Sequence, residues 1–268
     1  MVLAITSLVV ASDLQGVARM PGGKVLSGET VVEYLELLYA LHFPALASGQ
    51  ALALRCGDLY PNPAKRGESG NPFRVWEAFS RAFGCTIGIA GNHDDFGADL
   101  ARVQALPRAH FLARGTAQAH GLRLAGLSGI IGRPDKNFRL AEGPYVQAVA
   151  ALLRQAPHVL RTHLSPGLNA QGLQGDVHLA AALAAANVGA VRPFALAHSR
   201  APSAGQRHAG AQRRQQGVHL DPSLAAVKPV RAIQTVAINP LRTCLGIRCC
   251  KLVEETWLGW RLTAKLHG

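Results

Sequence analysis

Apolar runs that stop abruptly at polar residues alternate along this chain with stretches of helical period. Residues 2–12 are mostly apolar and β-branched and end at Asp13, as a strand covered on both faces would. Residues 29–42 set Val31, Val32, Leu35, Leu38, Tyr39 and His42 at helical spacing, with Ser27 as the expected N-cap. The run ALALRC (51–56) predicts a second strand and stops at Gly57 and Asp58, and the Pro- and Gly-rich LYPNPAKRGESGNP predicts a long loop above that strand end. Phe73, Trp76, Phe79 and Phe83 predict a helix over 73–83 whose aromatic stripe belongs to the core. A third strand, CTIGIA (85–90), runs into GNHDD (91–95).

Further on, HFLARGTAQAHGLRLAGLSGII (110–131) lacks helical period and predicts additional strands. Helices near 144–155 and 176–186 flank an apolar strand, HVLRTH, at 158–163, and a last run, RPFALAH, ends at His198. Strand, helix, strand, helix, strand predicts an α/β fold with helices on the faces of a largely parallel sheet. After residue 199 apolar anchors thin out, and the short run VRAIQTVAIN is the clearest element left.

Composition narrows the class. A chain of 268 residues with 49% apolar content buries a substantial core, which favours one large domain. No apolar run reaches about 18 residues, so no membrane span is expected. The start, MVLAITSLVVAS, has no basic flank and leads straight into Asp13, which favours a core strand over a signal peptide and a cytoplasmic setting. Five cysteines without a CxxC pair argue against a disulfide framework or zinc knuckle and predict buried, reduced thiols. The net charge of +12 is concentrated at one end: 16 Lys or Arg face 13 Asp or Glu through residue 176, and 12 face 3 beyond it.

Five predicted strands therefore end in Asp13, in Asp58, in Asn92 with His93 and Asp94, in His163, and in His198. Ligands of open α/β sheets bind at the carboxyl ends of strands. Carboxylates gathered there are costly to desolvate without a cation, and a divalent metal supplies the missing charge. Carboxylate, amide and imidazole donors without thiolate suit Mn²⁺, Fe or Zn²⁺.

The series SDLQG (12–16), CGDLY (56–60), GNHDD (91–95), RTHLSP (161–166) and LAHSR (196–200) resembles the calcineurin-like metallophosphoesterases, over residues 1–200 and in the same order. The resemblance implies two packed mixed β-sheets flanked by helices, a four-layer sandwich, and one or two divalent ions. By it, Asp13 ligates metal one, Asp58 bridges both ions, and Asn92, His163 and His198 complete metal two. It gives His93 the part of general acid toward the phosphate and Asp94 that of orienting the His93 ring. Such two-metal sites hold their ions roughly 3.5 to 4 Å apart and set a water on phosphorus in line with the leaving group.

Two positions depart from the family pattern, both at metal one. Gln15 stands in place of a His and offers only a neutral amide oxygen. Arg200 stands in place of another and cannot ligate, although it can clamp a phosphate by charge-assisted hydrogen bonds. The expected activity is metal-dependent hydrolysis of a phosphate ester at a mononuclear or weakly binuclear site. The alternatives are a fold-retaining binding or scaffold protein, and a nucleic-acid binder that uses the basic residues 201–268. That segment reads as partly irregular, either completing the sheet or translated outside the natural frame. Lys65, Arg66, Arg133, Lys136 and Arg139 read as solvated loop charge that could also meet an anionic substrate.

Overall fold

The computed structural model describes residues 7–20, 23–59, 68–167, 175–185, 192–193, 234–238 and 250–253. The first segment runs from β1 (Ser7–Ala11) through the hairpin β2 (Val17–Met20) and β3 (Gly23–Leu26) into α1 (Ser27–His42). Next come β4 (Ala51–Cys56), α2 (Phe73–Ala82), β5 (Cys85–Ile89), the short α3 (Leu100–Gln104) and β6 (Ala109–Phe111). The hairpin β7 (Arg114–Ala119) and β8 (Leu122–Leu127) follows, then β9 (Ile130–Ile131), β10 (Arg139–Leu140), α4 (Glu142–Leu153), β11 (Val159–Thr162) and α5 (Val177–Ala185). The last described strands are β12 (Arg192–Pro193), β13 (Gln234–Ile238) and β14 (Cys250–Val253).

These elements make a mixed α/β protein with several sheets flanked by helices. One sheet has the order β14-β13-β1-β4-β5-β6, and only β14 runs antiparallel to its neighbour. A second has the order β12-β11-β8-β7, with β7 antiparallel to β8. Alternation along the strands sorts the side chains into three cores. Val9, Ala51 and Ala53 face Val32, Leu35 and Tyr39 of α1 and Trp76 and Phe79 of α2. Val10, Leu52, Leu54, Ile87 and Ile89 face Leu124 of the other sheet. Ala125, Leu127 and Leu160, on the far side of that second sheet, face Tyr145, Val149 and Leu152 of α4 and Leu179 of α5.

The aromatic stripe of α2 belongs to the first core, as its spacing predicts: Trp76, Phe79 and Phe83 are fully buried. Trp76 also carries a cation, because the buried guanidinium of Arg55 lies 3.1 Å from its ring centroid. Gly88 makes that stack fit, since a Cβ there would lie 2.5 Å from Trp76 Cη2.

One expectation needs correction. Ser27 is the first helical residue and not the N-cap; Leu26 occupies that position with no side-chain cap, and the Ser27 N–H donates to Gly16 O at 3.0 Å. The β2–β3 hairpin before it was not expected at all. Within the segment read as partly irregular or as completing the sheet, β13 pairs in parallel with β1 and β14 lies beside it. The rest of 201–268, residues 60–67 with Lys65 and Arg66, and residues 194–200 lie outside the described residues. Among the described residues, no helix is long and apolar enough to cross a membrane.

Candidate metal centre

The carboxyl ends of β1, β4, β5 and β11 converge on one rim. Asp13 follows β1 and Asp58 follows β4, and both adopt left-handed backbone, with φ of 55° and 52°. Few non-glycine residues occupy that region, and Asp is among those that tolerate it. The two turns are stitched together, since the Asp13 N–H donates to Gly57 O at 3.1 Å.

Glycine lets the neighbouring turns touch. Gly57 has φ of 93°, and a Cβ there would lie 2.3 Å from Gly91 N; a Cβ on Gly91 would lie 2.0 Å from Asp58 Oδ1. Backbone from the β4 turn thus lies directly against backbone from the β5 turn. The glycines of CGDLY and GNHDD are there for this close approach.

One donor atom each from Asp13, Asp58 and His163 falls within 4.8 Å of the others, and all three residues are buried or nearly so. Their separate anchors fix this arrangement. Ser12 Oγ donates to Asp13 Oδ2 at 2.8 Å. The His93 N–H donates to Asp58 Oδ1 at 2.9 Å. His163 Nδ1 lies 2.8 Å from Cys56 O, which can only accept, so Nδ1 carries the proton and Nε2 points at Asp58 Oδ2, 3.3 Å away. A ring held through one nitrogen by a carbonyl, with the other facing carboxylates, is how proteins present histidine to a metal.

Electrostatics tell the same story. Burial pulls the His163 imidazole down, but the hydrogen bond and charge of Asp58, helped by Asp13, outweigh it and raise the group to about 9. Burial pushes Asp58 up, yet His163 and the His93 N–H hold it below the usual carboxylate range. In the protein alone, a proton on His163 supplies the positive charge that the two carboxylates require.

The donor set fits a divalent ion. Bonds of about 2.0 to 2.2 Å put opposite ligands roughly 4 Å apart, so a spread of 4.8 Å closes with small side-chain adjustments. Two carboxylates and an imidazole are donors for Mn²⁺, Fe or Zn²⁺.

The other expected site residues are distributed around this cluster. Asn92 and His93 are half-buried in the turn after β5, and Gln15 is half-buried two residues beyond Asp13. His198 and Arg200 lie outside the described residues. Asp94, which the resemblance casts as orienting the His93 ring, has both carboxylate oxygens on backbone amides. One oxygen accepts the Asp58 and Gly91 N–H groups at 2.9 and 2.8 Å, and the other accepts the Leu59 N–H at 2.9 Å. It is a fully buried clamp between the β4 and β5 turns. Burial, then the nearby charge of Asp58, pushes its carboxyl up to about 6 against those amides.

Several contributors escaped the sequence reading. Ser12 adjoins Asp13 in the motif, which is a signal of sorts, whereas the Cys56 carbonyl carries none. Asn137, in the loop between β9 and β10, donates its amide to Asp94 O at 2.6 Å. Arg133 and Lys136, at the exposed tip of that loop, show no contact with the cluster; Arg133 lies 3.9 Å from Asp135.

No family model matches the chain. No curated protein matches it either. Among solved structures, a protein of unknown function from Aquifex aeolicus is similar at 15% identity, with 71% of this chain and 89% of that chain covered and a TM-score of 0.34. A likeness at that level bears on neither fold nor activity.

Proposed function

We propose that this chain is a metal-dependent phosphoesterase that uses water to cleave a phosphate ester. The observation that carries the reading is the convergence of Asp13, Asp58 and His163 donor atoms within 4.8 Å at the ends of three strands. The order of the cores, from helices to sheet to sheet to helices, supports the finer reading of a metallophosphoesterase-like four-layer sandwich.

In this reading Asp13, Asp58 and His163 hold the ion, with Asn92, Gln15 and His198 as further ligands and Arg200 as a clamp on the substrate phosphate. A divalent ion here supplies Lewis acidity, withdrawing charge from a phosphoryl oxygen and acidifying a water. The chain's own residues do the rest. Asp58 fixes the His93 backbone through the 2.9 Å bond from its N–H, while Asp94 keeps the two turns together. His93 is half-buried with its backbone secured, and we assign it the transfer of a proton to the departing oxygen.

The test is turnover of 4-nitrophenyl phosphate and bis(4-nitrophenyl) phosphate by metal-stripped protein with added Mn²⁺, for the wild type and Asp58→Ala. Metal-dependent hydrolysis by the wild type alone is expected. Wild-type turnover no greater than that of Asp58→Ala would leave a binding or scaffold protein as the better description.

A further inference from the structure

The turn that carries His93 is secured at several backbone polar groups, and one of the securing residues comes from a distant loop. The His93 N–H donates to Asp58 Oδ1 at 2.9 Å, and His93 O accepts the Gly70 N–H at 3.0 Å. The next peptide, joining Asp94 to Asp95, is gripped from both sides. Its N–H donates to Gly70 O at 2.9 Å, and its carbonyl accepts Asn137 Nδ2 at 2.6 Å.

The structure assigns Asn137 as a positioning residue, one that holds the Asp94–Asp95 peptide so that His93 keeps its place beside the Asp13–Asp58–His163 cluster; the assignment rests on the phosphoesterase reading for its catalytic part. Asn137 is exposed, but the loop that carries it is anchored beside it. Its neighbour Phe138 packs edge-on against Phe96 and Phe111, with centroids 6.0 and 6.3 Å apart. Phe138 takes a left-handed φ of 48°, and its carbonyl comes so near Gly129 that a Cβ there would lie 2.0 Å away. Phe138 O also accepts the Ile130 N–H at 3.0 Å, and the Gly129 N–H donates to Ala90 O at 2.8 Å, immediately before the GNHDD turn. The loop is thus tied to the strand preceding the turn and to the aromatic residue following it. Asn137 spans the remaining gap with one directed hydrogen bond.

Asn137 touches neither the cluster nor any reacting atom, so its loss should disturb timing and geometry more than binding. Misplacing a catalytic group by about 1 Å can cost on the order of 100-fold in rate.

The experiment compares the wild type with Asn137→Ala and Asn137→Asp, the latter keeping the shape but replacing the donor with an acceptor. Steady-state hydrolysis of bis(4-nitrophenyl) phosphate with Mn²⁺, Mn²⁺ affinity by calorimetry, and amide hydrogen exchange at His93 are measured on all three full-length proteins. We expect kcat to fall about 10- to 100-fold at unchanged KM and unchanged Mn²⁺ affinity in both variants. The His93 amide should exchange about tenfold faster, with exchange in β8 and α4 unaltered. Wild-type kcat together with wild-type His93 exchange would overturn the assignment. So would a loss of Mn²⁺ affinity that accounts for the whole fall in rate. If the wild type proves to have no metal-dependent turnover, the phosphoesterase reading fails on its own, and His93 exchange still decides whether Asn137 holds the turn.

Discussion

Gly91 and Asp58 belong to different turns, yet no side chain fits between them: a Cβ on Gly91 would lie 2.0 Å from Asp58 Oδ1 and 2.5 Å from Asp58 N. The closeness of these residues fixes where the Asp58 carboxylate can be, and with it the distance to Asp13 and His163.

Gly91→Ala is therefore expected to displace Asp58 rather than to be absorbed. The added methyl meets the Asp58 backbone N as well as the carboxylate, so the turns that Asp94 pins have to part as the carboxylate moves. We expect a stability loss of about 1 to 3 kcal/mol, as for other overpacked sites, and at least about a tenfold loss of Mn²⁺ affinity, of the order seen when the supports of metal ligands are removed. Thermal melts with and without Mn²⁺ check both.

Asp94→Ala strands three buried N–H groups, those of Asp58, Leu59 and Gly91. Each stranded donor costs about 1 to 3 kcal/mol, so a loss of about 3 kcal/mol or more is expected by urea denaturation. An Asp94 that only oriented the His93 ring would cost activity and leave stability near the wild-type value.

The strand ends were readable because each mostly apolar run gives way to Asp, Asn or His at its end, at Asp13, Asp58, Asn92 and His163. Asp13, Asp58 and His163 could be named as neighbours from the general rule for α/β sheets, and the structure brings those three together. What could not be read depends on contacts remote along the chain. Asn137 reaches Asp94 across 43 residues, with no local pattern to announce it. The parallel pairing of β13 with β1 joins Ser7 to Gln234 and is equally silent in either segment alone. The β2–β3 hairpin was missed because Val17–Met20 and Gly23–Leu26 are short and lack clean alternation. Its second strand runs directly into α1, which leaves Leu26 at the cap that Ser27 was expected to fill.

In metal-free protein the His163 imidazole is raised to about 9 by Asp58, above its unfolded value of about 6.5. A group raised on folding contributes stability that is complete below the unfolded value and is lost as pH climbs through the folded one. The metal-free protein should therefore lose stability between about pH 6.5 and 9, and His163→Gln should flatten that slope. An ion needs the neutral ring, so binding displaces the proton. Mn²⁺ affinity should rise across the same window, and calorimetry at pH 7.5 in buffers of different ionisation enthalpy should show about one proton released. Binding without proton release would place His163 outside the ligand set.

Gln15→His adds an imidazole two residues from Asp13, at the position where the resembled family carries one. Neutral imidazole is a better ligand than a neutral amide for Fe or Zn²⁺. The variant should bind metal more tightly than the wild type, or bind a second equivalent, in a competitive chelator titration. Identical curves would mean that residue 15 does not face the ions.

The most direct test is a calorimetric titration of metal-stripped protein with Mn²⁺, run on the wild type and on Asp58→Ala under identical conditions. Saturable binding of at least one ion per chain by the wild type, absent from the variant, is the predicted result. A wild type that takes up no ion, or a variant that takes it up equally well, would contradict the metal centre and the hydrolytic reading built on it.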